Sequence, residues 1–130
     1  MAPAEDQDRF PCVIHAEFER EMEVLADKGF TFEASIGRVL AIIEDRFVNP
    51  EEGVDPKANW ASLPPADQGK DRGLDLRCID PDDGKITVIA TMRGQKLYLV
   101  SAGPATTKGR ATAVLAAIKR VSNPDWCPAK

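Results

Sequence analysis

The sequence is short of the residues on which enzyme chemistry most often depends. Histidine occurs once, at position 15, and cysteine three times, at positions 12, 78 and 127. A Ser-His-Asp or Cys-His site would have to use His15, and no Gly-x-Ser-x-Gly sequence accompanies it. A sparse, odd set of cysteines indicates a reducing compartment, although one Cys12–Cys127 bridge stays open. The pattern favours a cytoplasmic protein that is not an enzyme and has no catalytic residues.

Long apolar runs are missing as well. The longest covers residues 113–118, whereas a membrane-spanning helix needs about 20 apolar residues. The first ten residues, MAPAEDQDRF, contain three acids and no apolar stretch, so they do not resemble a secretory signal. We therefore expect no membrane partner.

Acidic residues are almost absent from the C-terminal third. Residues 85–130 hold eight bases and one acid, whereas residues 1–56 hold fourteen acids and five bases. The whole chain has a net charge of −4. If the two segments occupy separate faces, the molecule has an acidic and a basic pole, which suits a binding surface better than catalysis.

Hydrophobic periodicity predicts three helices. Residues 11–28 and 31–47 each carry an apolar stripe of period 3.6, and Gly29 between them suits a helix end. They are expected to form a helical hairpin. The third helix covers residues 108–121, with Thr106 or Thr107 as its N-cap.

Three strands are predicted between the second and third helices. Apolar residues alternate over 74–79, 86–92 and 96–101, and turn residues separate these segments. They should form an antiparallel meander with residues 86–92 in the centre. The order α-α-β-β-β-α defines an α+β protein with its helices on one face of the sheet.

Residues 1–130 are expected to form a single domain, since 130 residues suffice for one core. Residues 1–10 are expected to form a flexible N-terminus, and residues 122–130 a C-terminal tail whose Trp126 should pack on the body. A long irregular connection covers residues 48–73, which contain four prolines and three glycines. Trp60 and Leu63 should attach it to the core through one helical turn.

No metal or cofactor is predicted. Cys12 and His15 have the spacing of half a zinc site, but Cys78 and Cys127 are single and distant, where a strong signal has two close pairs. The acidic turn at 80–84 lacks the later glutamate of a calcium loop.

The candidate binding residues are basic or hydroxylic and lie in the C-terminal third. The segment 103–110 opens a helix, and a helix N-terminus can hold a phosphate or carboxylate, but the order G-x-x-x-x-G-K-[ST] is absent. The predicted strand at 96–101 lies between Arg93 and Lys96 at one end and Lys108 and Arg110 at the other. A strand of this length spans about 20 Å, so these bases favour an extended partner over a single anion pocket. These residues are Arg93, Lys96, Thr107, Lys108 and Arg110.

The sequence therefore predicts a small adaptor, inhibitor or regulatory module that binds another protein. The alternative is binding of nucleic acid or a phosphorylated ligand by the basic C-terminal half. An enzyme whose site arises only in an oligomer is a third hypothesis.

Overall fold

The protein is a mixed α+β fold built on a four-stranded sheet. The computed structural model describes residues 12–29, 41, 43–48, 56–66, 74–79, 85–93 and 96–127. None of the helices in these ranges has the length and apolar character needed to cross a membrane. The elements are, in chain order, β1 (Cys12–Ile14), α1 (Ala16–Asp27), a π-helical turn (Glu44–Val48), α2 (Pro56–Ser62), β2 (Leu76–Ile79), β3 (Ile86–Arg93), β4 (Lys96–Pro104) and α3 (Thr107–Val121).

The predicted antiparallel meander is present. β3 lies between β2 and β4 and pairs antiparallel with both. Its alternating residues are buried on both faces, and Ile86, Val88 and Ile89 have no exposed surface. This strand is therefore central, as its apolar outward face predicted.

The meander is not the whole sheet, because a fourth strand lies beside β4. Cys12–Ile14 was predicted to open the first helix, but it forms β1 and pairs parallel with Leu97–Leu99. Val13 and Ile14 are β-branched and favour extended backbone. The buried stripe of α1 begins only at Phe18, and Ile14 is 40% exposed. Since the pairing spans about 85 residues of sequence, local periodicity could not reveal it.

The helices cover both faces of the sheet, and the prediction of a single covered face was wrong. α1, the π-helical turn and α2 pack on one face, against Val88, Leu97 and Leu99. α3 packs on the other face, against Ile89 and Val100. Strands that are apolar on both sides require a layer of cover on each side.

The region between α1 and β2 is only partly described. Residues 30–40, 42, 49–55 and 67–73 lie outside the described residues, so most of the predicted second helix and much of the predicted connection at 48–73 are not tested. Ala41 and Ile43 are helical, and Ile43 and Phe47 are buried in the core as the apolar stripe predicted. Trp60 and Leu63 attach α2 to the same core, with exposures of 9% and 8%.

A bulge interrupts β4 in the middle. Ile89 pairs with Ser101 and Ala90 with Leu99, so Val100 is an extra residue. Val100 packs in the cluster under α3, and the Ser101 hydroxyl donates to the Ala113 carbonyl at 2.7 Å. Both residues thus face α3, which returns Ala102 to the α1 side.

Candidate binding groove

Within the part of the chain that the structure describes, the second half of β4 forms an uncovered edge of the sheet. β1 pairs with β4 only as far as Leu99, because the chain turns into α1 after Ile14. From Val100 to Pro104, β4 has β3 on one side and, within the described ranges, no strand on the other. α1 rises on one side of this edge and α3 on the other. We call the space between them the α1–α3 groove.

Three depressions lie in the α1–α3 groove, and two of them are lined by β4. The one at the start of α3 has a volume of about 370 Å³ and a floor of Ala102, Gly103 and Pro104. A second, of about 330 Å³, lies against α1 beside Val24, which is 48% exposed. The third, of about 440 Å³, lies at the other end of the groove next to Trp126. The charged residues that line them are Glu17, Arg20, Glu21, Lys28, Lys108, Lys119 and Arg120.

An ion pair bridges the groove between its two walls. Arg120 of α3 donates from Nη2 to Glu21 Oε2 of α1 at 2.8 Å, and from Nη1 to Oε1 at 2.9 Å. Arg120 Nη1 also donates to the Val100 carbonyl at 2.7 Å, and Glu21 Oε1 accepts from the Ala102 backbone N–H at 3.2 Å. The pair therefore satisfies two backbone groups of the uncovered edge.

Helical spacing explains why these two side chains reach the edge. Glu21 lies three residues after Phe18 and four before Leu25, so it flanks the buried stripe of α1. Arg120 lies next to Val121 on the flank of the α3 stripe. Both are partly buried, with side-chain exposures of 28% and 19%. The sequence shows that each of these charged residues lies beside an apolar stripe. It does not show that the two form a pair, because they are 99 positions apart.

Two lysines face each other across the other part of the groove. Lys28 directly follows α1, Lys108 lies in the first turn of α3, and both line the same depression. Among the described residues, the one acid that lines this depression is Glu21, which is already paired with Arg120. This end of the groove consequently has an excess of positive charge.

The start of α3 is held tightly against the end of β4. Thr106 is the N-cap, and its Oγ1 accepts from the Gly109 N–H at 2.9 Å. A Cβ at Gly109 would overlap the Pro104 carbonyl oxygen, so glycine is what permits this approach. The predicted threonine cap is confirmed at Thr106 rather than at Thr107.

The predicted basic residues lie at two ends of β4. Lys108 lines the groove, and Thr107 and Arg110 are exposed in the same first turn of α3. Lys96 is exposed at the opposite end of β4, where its backbone lies opposite that of Arg93 in the β3–β4 ladder. Eight residue steps of strand separate Lys96 from Pro104, which is about 26 Å.

Arg93 has contacts that the sequence did not indicate. Its guanidinium donates to the Val121 carbonyl at 3.4 Å and to the Cys127 carbonyl at 3.3 Å. It therefore holds the C-terminal end of α3 and the tail, where a cation is favourable for the helix dipole.

His15 and Trp126 close the far end of the groove. Their ring centroids are 4.0 Å apart, and the Tyr98 ring lies 6.2 Å from His15. Trp126 is only 9% exposed, which confirms that it packs on the body. The backbone N–H at the start of α1 lowers the pKa of the neighbouring Glu17; partial desolvation opposes this, and the Trp126 indole and Arg120 add to the lowering.

The cysteines do not form a common site. Cys12, Cys78 and Cys127 are free. Cys12 packs with the α1 cluster and Cys127 with the α3 cluster, so the sheet separates them and the Cys12–Cys127 bridge is excluded. In the described part of the chain, no three His, Cys, Asp or Glu side chains are grouped to hold a metal ion.

Comparisons with known proteins give no relative of this chain. No family model, no curated protein and no solved structure matches it significantly.

Proposed function

We propose that this chain is a small module that acts by binding another protein through the α1–α3 groove. The observation that carries the proposal is a strand edge between two helices of opposite charge, uncovered by any other described strand. α1 contains five acids and one base, whereas α3 contains four bases and no acid. A partner that bridges the two helices would meet both charges at once, which favours specific and rapid association.

The lining of the groove supports a polypeptide as the partner. The exposed apolar side chain of Val24 lies beside the charged side chains of the groove, the mixture typical of protein interfaces. The small floor residues Ala102 and Gly103 let a backbone approach the edge. Such a module would serve as an adaptor, an inhibitor or a regulator of its partner.

Site-directed crosslinking tests this proposal. A photoreactive residue at Thr112, which lines the groove, should capture a partner in the cells that produce the protein. The matched control is Leu115, which is on the outer surface of the same helix and 57% exposed. Equal capture at both positions, or capture at Leu115 alone, would place the partner elsewhere.

A second candidate function is binding of nucleic acid or a phosphorylated ligand. Lys28 and Lys108 favour it, because they face one depression at the N-terminal end of α3. A protein that binds phosphates in this way should be retained on heparin at low salt and released steeply as salt rises. Loss of retention in a Lys28→Ala/Lys108→Ala variant, with Lys96→Ala as the control, would favour this candidate.

A further inference from the structure

We infer that the α1–α3 groove binds the C-terminal segment of a partner protein as an extra strand parallel to β4, with its terminal carboxylate between Lys28 and Lys108. This inference rests on the proposed function and specifies the partner segment. Beyond the end of β1, β4 continues for five residues, Val100–Pro104. The groups that it offers on this edge are the Val100 carbonyl and the backbone of Ala102, since Pro104 has no N–H and its carbonyl lies against Gly109. Addition of a strand to such an edge is a recurrent mode of peptide recognition.

The Glu21–Arg120 pair marks where that strand would lie. In a parallel ladder, one residue of the neighbouring strand donates its N–H to the carbonyl of residue i−1 and accepts from the N–H of residue i+1. With Ser101 as residue i, these groups are the Val100 carbonyl and the Ala102 N–H. Arg120 supplies the donor and Glu21 the acceptor. The ion pair thus imitates one residue of a parallel strand.

The direction of the strand follows from this pattern. A segment parallel to β4 runs from Val100 towards Pro104, so its C-terminal end reaches the depression between Lys28 and Lys108. Among the described residues, no ion pair neutralises either lysine. A terminal carboxylate would supply the missing negative charge through charge-assisted hydrogen bonds.

Space for the added backbone comes from small side chains. The depression at this end is lined by Ala102 and Gly103 from β4 and by Thr112 and Ala116 from α3. To bind, the segment displaces Glu21 and Arg120 from the two backbone groups, and the pair closes the edge again when the segment leaves. An edge closed in this way resists unspecific strand pairing.

The test is a binding selection. A library of random heptapeptides with free C-termini is displayed, and the full-length protein is the immobilised target. We expect enriched peptides whose binding weakens at least tenfold when the C-terminus is amidated, and also when Lys28→Ala/Lys108→Ala replaces the wild type. The control Lys96→Ala, at the other end of β4, should bind as the wild type does. In ¹⁵N spectra, the amide signals of Ala102 and Gly103 should shift most.

Three results would overturn the inference: no enriched peptide, equal binding of amidated peptides, or a larger loss with Lys96→Ala than with the double variant. If the selection fails while Thr112 still crosslinks a protein, the partner binds as a folded surface and only this inference falls. If neither gives a signal, the proposed function falls with it. Displacement of enriched peptides by an oligonucleotide would instead favour the nucleic-acid candidate.

Discussion

Two side chains, those of Glu21 and Arg120, bind the backbone groups at the edge of β4 that has no neighbouring strand among the described residues. As an ion pair near the surface, Glu21 and Arg120 would contribute little to stability. Their bonds to β4 matter more, because a buried backbone group left without a partner costs about 1–3 kcal/mol. The sense of these bonds is fixed, since Ala102 offers an N–H and Val100 a carbonyl.

Exchanging the two charges should therefore not restore stability. In Glu21→Arg/Arg120→Glu, the ion pair can re-form, but an arginine then faces the Ala102 N–H and a carboxylate the Val100 carbonyl. We expect the double variant to lose about 1–3 kcal/mol of unfolding free energy in urea. The control exchange Glu23→Arg on the exposed side of α1 should change it by less than about 0.5 kcal/mol. Full recovery in the double variant would show that the backbone bonds contribute nothing.

The Cys12 thiol should react slowly at neutral pH. Desolvation by burial, together with the negative charge of Glu44, raises its pKa to about 11. At pH 8 its thiolate fraction is then about two orders of magnitude below that of a free cysteine. Mass-resolved alkylation should show modification of Cys12 increasing about tenfold per pH unit between pH 8 and 10. Fast modification at pH 7 in the folded protein would contradict this environment.

The same pKa shift makes a contribution to stability that depends on pH. The folded state binds the Cys12 proton more tightly than the unfolded state does, so this contribution is fully present below 9.0, the ordinary pKa of an unfolded cysteine thiol. It decreases as the pH rises from there towards about 11.

At the scale of elements, the contact between β4 and α3 depends on glycine. A Cβ at Gly103 would lie 3.0 Å from the Gly109 carbonyl oxygen, and one at Gly109 would overlap the Pro104 carbonyl oxygen. Glycine inside a helix usually costs about 1 kcal/mol relative to alanine. Here the close approach reverses the usual preference.

Gly109→Ala should therefore destabilise the protein even though alanine favours helix. The added methyl group must push α3 away from β4, at an expected cost of about 1–3 kcal/mol. Thr112→Ala, on the exposed side of the same helix, should change the unfolding free energy by less than about 0.5 kcal/mol. Thermal unfolding of both variants measures the difference, and a more stable Gly109→Ala protein would refute the tight contact.

At the scale of the whole molecule, the two ends of the described chain meet. His15, at the start of α1, packs against Trp126 in the C-terminal tail, with the two rings tilted by 33°. Arg93 ties the β3–β4 turn to the Val121 and Cys127 carbonyls. The tail is therefore part of the fold and completes one end of the groove.

Removing the tail should weaken the fold. Truncation after Val121 removes Trp126 and Cys127 from the core, and Trp126→Ala alone should cost about 3–5 kcal/mol. Truncation after Cys127 is the control, since it keeps both buried residues. Equal melting temperatures for the two truncated proteins would mean that Trp126 does not support the body and is available as a partner contact.

Local signals in the sequence determined much of this protein. Alternating apolar residues gave the meander, the helical stripe gave α3, and Gly29, with a φ of +100°, ends α1 as its position suggested. These features depend on neighbours within a few residues, so periodicity and capping rules can find them.

The tertiary structure alone decided the fourth strand, the cover on both faces and the groove. β1 pairs with residues about 85 positions away, and Glu21 meets Arg120 across 99 positions. No sequence feature near one member of these pairs identifies the other member. The pairs form only when α1 and α3 pack on opposite faces of the sheet. The sequence could place acids and bases in different segments, whereas only the fold brings them together along one open strand.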